Sequence, residues 1–316
     1  MQIGLLTDSL SELTRAEALD TAVDLGVETV EIGLGGVHGG WSPAPHADLA
    51  ELLDDGAARA GLARDVASRG LRLEAFNAAG NPLHPRHGER DAAVLRGALR
   101  LAQEFEVGTV VTMSGLPGYP GDTVPPWITT VWPPENLELL DYQWERAIDW
   151  WGPIAEEARA RGVRIAVEMH ANQLVYSVPG LLRLRDAVGD TVGANVDPSH
   201  LIWMGADPLA AIRALDGAVH HVHAKDTRIE DRAAVASRLE TIPNPRTGER
   251  AWNYVAVGTG HPDGVDFWVR FIANLRLAGY DGPLSIENED YTLGQRESVA
   301  LAVETLRTAQ HLEEVR

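Results

Sequence analysis

The chain has 316 residues, 45% hydrophobic and 23% charged, enough for one large barrel or two average domains. It contains no cysteine, which excludes disulfides, thiolate metal sites and cysteine nucleophiles, so any metal must be held by His, Asp and Glu. The net charge of −19 is the opposite of the basic footprint that a nucleic-acid-binding protein presents to phosphates. Neither a secretory signal nor a membrane span is expected from the opening run Ile3-Gly4-Leu5-Leu6, and the expectation is a soluble, cytoplasmic protein.

In chain order, short apolar runs alternate eight times with longer amphipathic segments. The run 2–6 precedes a helical pattern over 14–25, and 29–32 precedes one over 47–69. Next come 71–76 with 92–105, 109–113 with 137–161, and 164–168 with 179–188. The last three units pair 192–196 with 208–215, 219–223 with 265–278, and 284–287 with 294–312. Gly26, Gly70, Gly162 and Gly279 each stand between a helix and the next strand, where a left-handed residue ends the helix. Eight such units predict a closed parallel (β/α)8 barrel spanning 1–316 as a single domain. No Gly-rich phosphate loop follows the first strand, which argues against an open doubly wound sheet.

In such a barrel the chemistry sits where the strands end, on the loops leading into helices. Two of these loops are long, 114–136 and 226–264, and both are expected to lie over the active site. The first carries Pro117, Pro120, Pro125, Pro126, Trp127, Trp132, Pro133 and Pro134, a composition expected of a folded roof rather than a flexible linker.

Strands five to eight end Glu168-Met169-His170, Asp197-Pro198-Ser199-His200, His221-Val222-His223-Ala224-Lys225-Asp226 and Glu287-Asn288-Glu289. Side chains alternate along a strand, so Glu168 shares a face with His170, and His221 with His223 and Lys225. Val167, Val222 and Ile286 then turn toward the helices. Two Glu, one Asp and one His converging from adjacent strands form a hard, oxygen-rich set suited to Mn2+, Mg2+ or Co2+. The ordinary alternative for any one of these acids is a strand-end cap or a salt bridge. His221 rivals His223 as the nitrogen ligand because both face the same way. Lys225 is the only lysine beside 26 arginines.

This pattern resembles the xylose isomerase-like TIM barrel superfamily, which includes sugar phosphate isomerases/epimerases and the AP endonuclease family 2 group. The resemblance implies one divalent metal held by Glu168, Asp197, His223 and Glu287, with His200 and Arg228 contacting substrate. The acidic balance argues against its DNA-cutting branch. More local strings are Asn81-Pro82-Leu83-His84-Pro85, Trp132-Pro133-Pro134-Glu135-Asn136, Glu168-Met169-His170, the run 221–228 and Val257-Gly258-Thr259-Gly260-His261. Together they are most similar to the catalytic large subunits of bacterial C-glycoside deglycosidases and 3-keto-glycoside lyases. That resemblance implies a keto-sugar or glycoside substrate and a small β-sandwich partner subunit; a homo-oligomer is equally compatible with the sequence.

Two enzymatic readings share removal of a proton next to a sugar carbonyl, with a metal-stabilised enolate. In the lyase reading, His170 takes the C2 proton of a 3-keto glycoside and the C1 substituent departs. The alternative role for His170 is a hydrogen bond to Glu168. In the isomerase or epimerase reading, Glu168 and Glu287 form the acid/base pair, and His200, Lys225 and Arg228 orient hydroxyls or a phosphate. A third reading is a non-catalytic sugar-binding barrel. Glu31, at the end of strand two, is a candidate for binding a hydroxyl or for a salt bridge. His84 is a candidate substrate contact or a backbone-bonded loop residue. Lys225 and Asp226 are expected to form an internal ion pair, and nothing is assigned to His38 and His46.

Overall fold

The computed structural model describes residues 1–35 and 44–315. His38 lies outside them. The elements in chain order are β1 (Ile3–Leu6), α1 (Arg15–Leu25), β2 (Thr29–Gly33), α2 (Leu49–Asp54), α3 (Gly56–Ala67), β3 (Arg72–Asn77) and α4 (Gly88–Glu104). There follow β4 (Thr109–Met113), α5 (Glu135–Ala160), β5 (Arg164–Glu168), α6 (Val178–Val188), β6 (Val192–Val196), α7 (Pro198–Met204), α8 (Pro208–Leu215) and β7 (Val219–Ala224). The chain ends with β8 (Asp226–Ile229), α9 (Asp231–Ala234), β9 (Trp252–Val255), α10 (Val265–Leu277), β10 (Leu284–Ile286) and α11 (Gln295–Val315).

Eight strands close a parallel barrel in the order β1-β10-β7-β6-β5-β4-β3-β2, while β8 and β9 form a separate antiparallel ribbon. Its strands are buried along nearly their whole length, as parallel strands covered on both faces must be. All four punctuating glycines have positive φ, from +71° at Gly162 to +82° at Gly279, as the helix-end pattern predicts.

Three local differences from the sequence expectation have simple causes. The helix expected over 47–69 breaks at Asp55, whose side chain accepts from the Ala57 N–H at 2.7 Å and so starts a new helix. A short helix, α7, was not expected after β6. Its signal is Asp197-Pro198: an N-cap carboxylate taking the Ser199 N–H at 2.7 Å, followed by a proline at the first helical position. Thirdly, 226–264 is not an irregular loop but carries the β8–β9 ribbon, with Asp226 opposite Val255 and Thr227 opposite Tyr254.

By internal packing the chain groups into two compact units. One comprises Met1–Glu31, Arg64–Leu73 and Val196–Arg316; the other comprises Ile32–Ala63 and Glu74–Asn195. In the first unit, α1 starts on a capping box in which Thr14 and Glu17 satisfy each other's backbone N–H groups. Helix α10 buries Phe267, Trp268, Phe271, Ile272 and Leu275 along one stripe, each buried aromatic or aliphatic side chain contributing about 1.5–3 kcal/mol. The ribbon has its own core: Trp203 and Trp252 stack at 4.6 Å, and the Arg250 guanidinium lies 4.4 Å above the Trp252 ring. Arg250 is also 3.1 Å from Glu240 and donates to the Ile242 and Trp252 carbonyls, which folds the connection between the two strands.

In the second unit, the long segment after β4 is tied to α5. Gln143 Nε2 donates to the Pro117 and Pro126 carbonyls at 2.8 and 2.9 Å, and Trp151 Nε1 donates to the Ser114 carbonyl at 2.9 Å. Trp127 packs edge-on against Tyr176. Beyond it the side chains turn to solvent, with Trp132 76% exposed, so the segment is folded at its root and apolar at its tip.

Candidate metal centre

Strand β7 carries three histidines, two of which meet one buried carboxylate. His221 and His223 both direct Nε2 at Glu31, at 2.8 Å for His221 and 3.1 Å for His223, and Ser285 donates to the same carboxylate at 2.9 Å. Ser285 is the register partner of His223, which explains why both side chains reach Glu31. Burial acts to raise the Glu31 carboxyl, but the two imidazoles outweigh it and hold the group far below the ordinary carboxylate range. Glu31 is fully buried, and with His221 and His223 it offers donor atoms within 4.8 Å of one another.

The two histidines, equivalent by strand parity, differ at their other nitrogen. His223 Nδ1 stands 3.0 Å from Glu287 Oε2, where the backbone has just left β10. Asp197 uses Oδ1 to cap α7, while its Oδ2 lies 3.2 Å from His200 Nε2. Tyr254, on β9, is within 3.0 Å of His200 Nδ1 through its hydroxyl. His200 therefore sits between the Asp197 carboxylate and the Tyr254 hydroxyl.

Lys225 is buried here at 2% exposure, with Nζ 2.8 Å from Glu289, 3.4 Å from Glu287, 4.0 Å from Asp197 and 4.5 Å above the Tyr254 ring. Burial disfavours the ammonium, but Glu287, Glu289 and Asp197 more than restore it and raise it well above the ordinary lysine value. Burial, aided by Glu287, raises Glu289. Burial likewise raises the Tyr254 phenol, so it stays a neutral hydroxyl.

The expected Lys225–Asp226 ion pair is not what forms. Successive residues on an extended chain point to opposite sides, and Asp226 turns away from Lys225 into a cradle of backbone N–H groups. Thr227 and His261 donate to its Oδ1 at 2.8 and 3.1 Å, Gly258 and Gly260 to its Oδ2 at 2.9 and 3.1 Å. A Cβ at Gly260 would stand 2.5 Å from the Asp226 carboxylate, so the close turn requires glycine there. On the far side, the Ala256 N–H donates to Asp290 at 3.0 Å. The ribbon that carries Tyr254 is thus anchored after both β7 and β10.

In the second unit, Glu168 at the end of β5 accepts from Asn195 Nδ2 at 2.8 Å. His170 is half-buried, and its Nδ1 is 2.7 Å from the Ala171 carbonyl. A carbonyl only accepts, so Nδ1 carries a proton. His84 accepts the Arg86 N–H at Nδ1 and packs against His87, and Arg228 pairs with Glu230 at 2.8 Å.

Within the first unit, one donor atom each from Asp197, His223 and Glu287 lies within 4.8 Å of the others, and Glu168 is the fourth member of the set expected from the sequence. The four-residue set fits a divalent cation by the chemistry of its donors. His223 directs Nε2 at Glu31 and Nδ1 at a Glu287 oxygen 3.0 Å away, and a cation between Nδ1 and that carboxylate would suit both as ligands. Tyr254, Glu289 and Asn195 belong to these clusters yet were not singled out from sequence. The parity of Glu287 and Glu289 gave a signal for one of them. Tyr254 gave none, because the ribbon was not foreseen.

The family described as xylose isomerase-like TIM barrel matches residues 19–310, and the chain belongs to it. An uncharacterized protein, YfiH, from Bacillus subtilis (strain 168) is 44% identical over 314 residues, covering 97% of this chain and 98% of that one. An inosose dehydratase from Lacticaseibacillus casei is 25% identical over 157 residues, about half of each chain: 49% of this one and 50% of the other. A solved structure described as IOLI protein with a binding zinc atom superposes with a TM-score of 0.67 at 17% identity, covering 98% of both chains. Among the described residues no helix is long and apolar enough to cross a membrane.

Proposed function

We propose that this protein is a divalent-metal-dependent lyase acting on a 3-keto-glycoside, C- or O-linked, in the manner of the C-glycoside deglycosidases whose local strings it resembles. The observation that carries this reading is the spacing of Asp197, His223 and Glu287, three hard donors within 4.8 Å of one another, with Glu168 as the proposed fourth ligand. Mn2+ is the ion this set favours, with Mg2+ and Co2+ as alternatives. When bound, such an ion supplies the positive charge that polarises a ketone and stabilises the enolate formed beside it.

The residues of the chain do the rest. His170 holds its proton on Nδ1 against the Ala171 carbonyl, which leaves the Nε2 lone pair to remove the C2 proton of the sugar. The electron pair of that C–H bond forms the C1–C2 double bond, and the C1 substituent, β to the ketone, departs with its own bonding pair. His200, held between Asp197 and Tyr254, orients substrate hydroxyls. Lys225 offsets the carboxylates around the site, and Arg228 reaches substrate from β8.

Dehydration is an elimination, so the likeness to an inosose dehydratase over half the chain supports this reading over isomerisation. An isomerase would instead need Glu168 and Glu287 to exchange a proton while both hold the ion. A small β-sandwich partner is part of the proposal, and the exposed Val124, Val131 and Trp132 on the 114–136 segment support it.

The test is to incubate the metal-loaded protein, alone and with a candidate partner subunit, with 3-keto glycosides and with free ketoses. Release of the aglycone is the expected result. A new epimer or an aldose–ketose pair without release would replace the lyase reading with the isomerase one.

A further inference from the structure

We infer that Glu31 is a positioning residue that fixes the tautomer of His223, and through it the donor atom offered to the proposed cation; the inference rests on the metal reading above. Glu31 sits in the middle of β2, a strand that supplies none of the four ligands. Its buried carboxylate receives His221 Nε2, His223 Nε2 and Ser285 Oγ at 2.8, 3.1 and 2.9 Å. An ionised carboxylate has only acceptor sites, so each of these three groups must donate. That leaves His223 with its proton on Nε2 and its lone pair on Nδ1, the atom 3.0 Å from Glu287. The same protonation pattern holds His221 as a second donor to Glu31, so this histidine supports the network instead of competing for the ion.

A glutamine at this position would keep the shape and lose the instruction. Its amide oxygen accepts, but its NH2 donates, and a donor facing His223 Nε2 would move the imidazole proton to Nδ1, where a ligand lone pair is needed. It would also remove a buried negative charge one residue away from the ion. Partners of this kind behind a ligating histidine change metal affinity by roughly 10–100-fold when mutated.

The experiment is a titration of Mn2+ into metal-stripped full-length protein, wild type and Glu31→Gln, with free Mn2+ counted by its electron paramagnetic resonance signal. The expected result is a dissociation constant raised by roughly tenfold to a hundredfold in the variant. A value within twofold of wild type would overturn the inference while leaving the metal reading intact. Wild-type protein that binds no Mn2+ would overturn the metal reading itself. In case the variant does not fold, nitrogen-15 NMR of the Zn2+-loaded wild-type protein reads the His223 tautomer directly. A protonated Nε2 with a metal-shifted Nδ1 is expected, and a protonated Nδ1 would overturn the inference.

Discussion

Lys225 Nζ and Glu289 Oε2 stand 2.8 Å apart in the interior, and the only lysine of the chain is spent on carboxylates rather than left at the surface. Glu287 and Asp197 complete its surroundings at 3.4 and 4.0 Å. Three acids around one ammonium leave an excess of negative charge, which is the electrostatic condition a divalent cation relieves.

Lys225→Met therefore strands three buried carboxylates. Removing one partner of a buried ion pair costs about 3–5 kcal/mol, and that loss is expected for the metal-free protein in denaturant unfolding. Mn2+ should restore part of it, because the ion supplies positive charge to the same acids. Equal stability of the two proteins in chelator would show that the lysine contributes nothing to the fold.

Exhaustive chelation should abolish activity, and Mn2+ should bring it back. Glu287→Gln should lower the metal content of purified protein, measured by elemental analysis, because a neutral amide is a poorer ligand than a carboxylate. Unchanged content would remove Glu287 from the ligand set.

His170→Gln should leave metal content and thermal unfolding near wild type and lower kcat by about 10²–10⁴-fold, the usual loss for a general base. A comparable loss of bound metal would instead assign His170 to the metal site, which its spacing to Glu168 also permits.

Asp226→Ala should loosen the β8–β9 ribbon, because four backbone N–H groups lose their acceptor together. Each unsatisfied buried donor costs about 1–3 kcal/mol, less where water enters, so a total of several kcal/mol is expected. Hydrogen exchange should rise at Thr227, Gly258, Gly260 and His261 while amides in β1 and β10 stay protected. Gly260→Ala should produce the same signature by pressing its Cβ into the Asp226 carboxylate.

The sequence by itself determined the eight strands and their order of appearance, and it singled out Glu168, Asp197, Glu287 and the pair His221 and His223 at carboxyl ends. These are local matters: apolar runs fix strands, strand parity fixes faces, and helix-ending glycines mark boundaries such as Gly26 and Gly279. The sequence could not choose between His221 and His223, because parity is blind to what stands opposite. Tertiary structure makes them different by bringing Glu31, 190 residues from His221, against both Nε2 atoms and Glu287 against the Nδ1 of His223. It likewise sent Lys225 to Glu289 and Asp226 to the Gly258–Gly260 turn, and it delivered Tyr254 to His200 on an unforeseen ribbon. Which buried polar groups become partners depends on which remote segments meet, and only the closed fold sets those meetings.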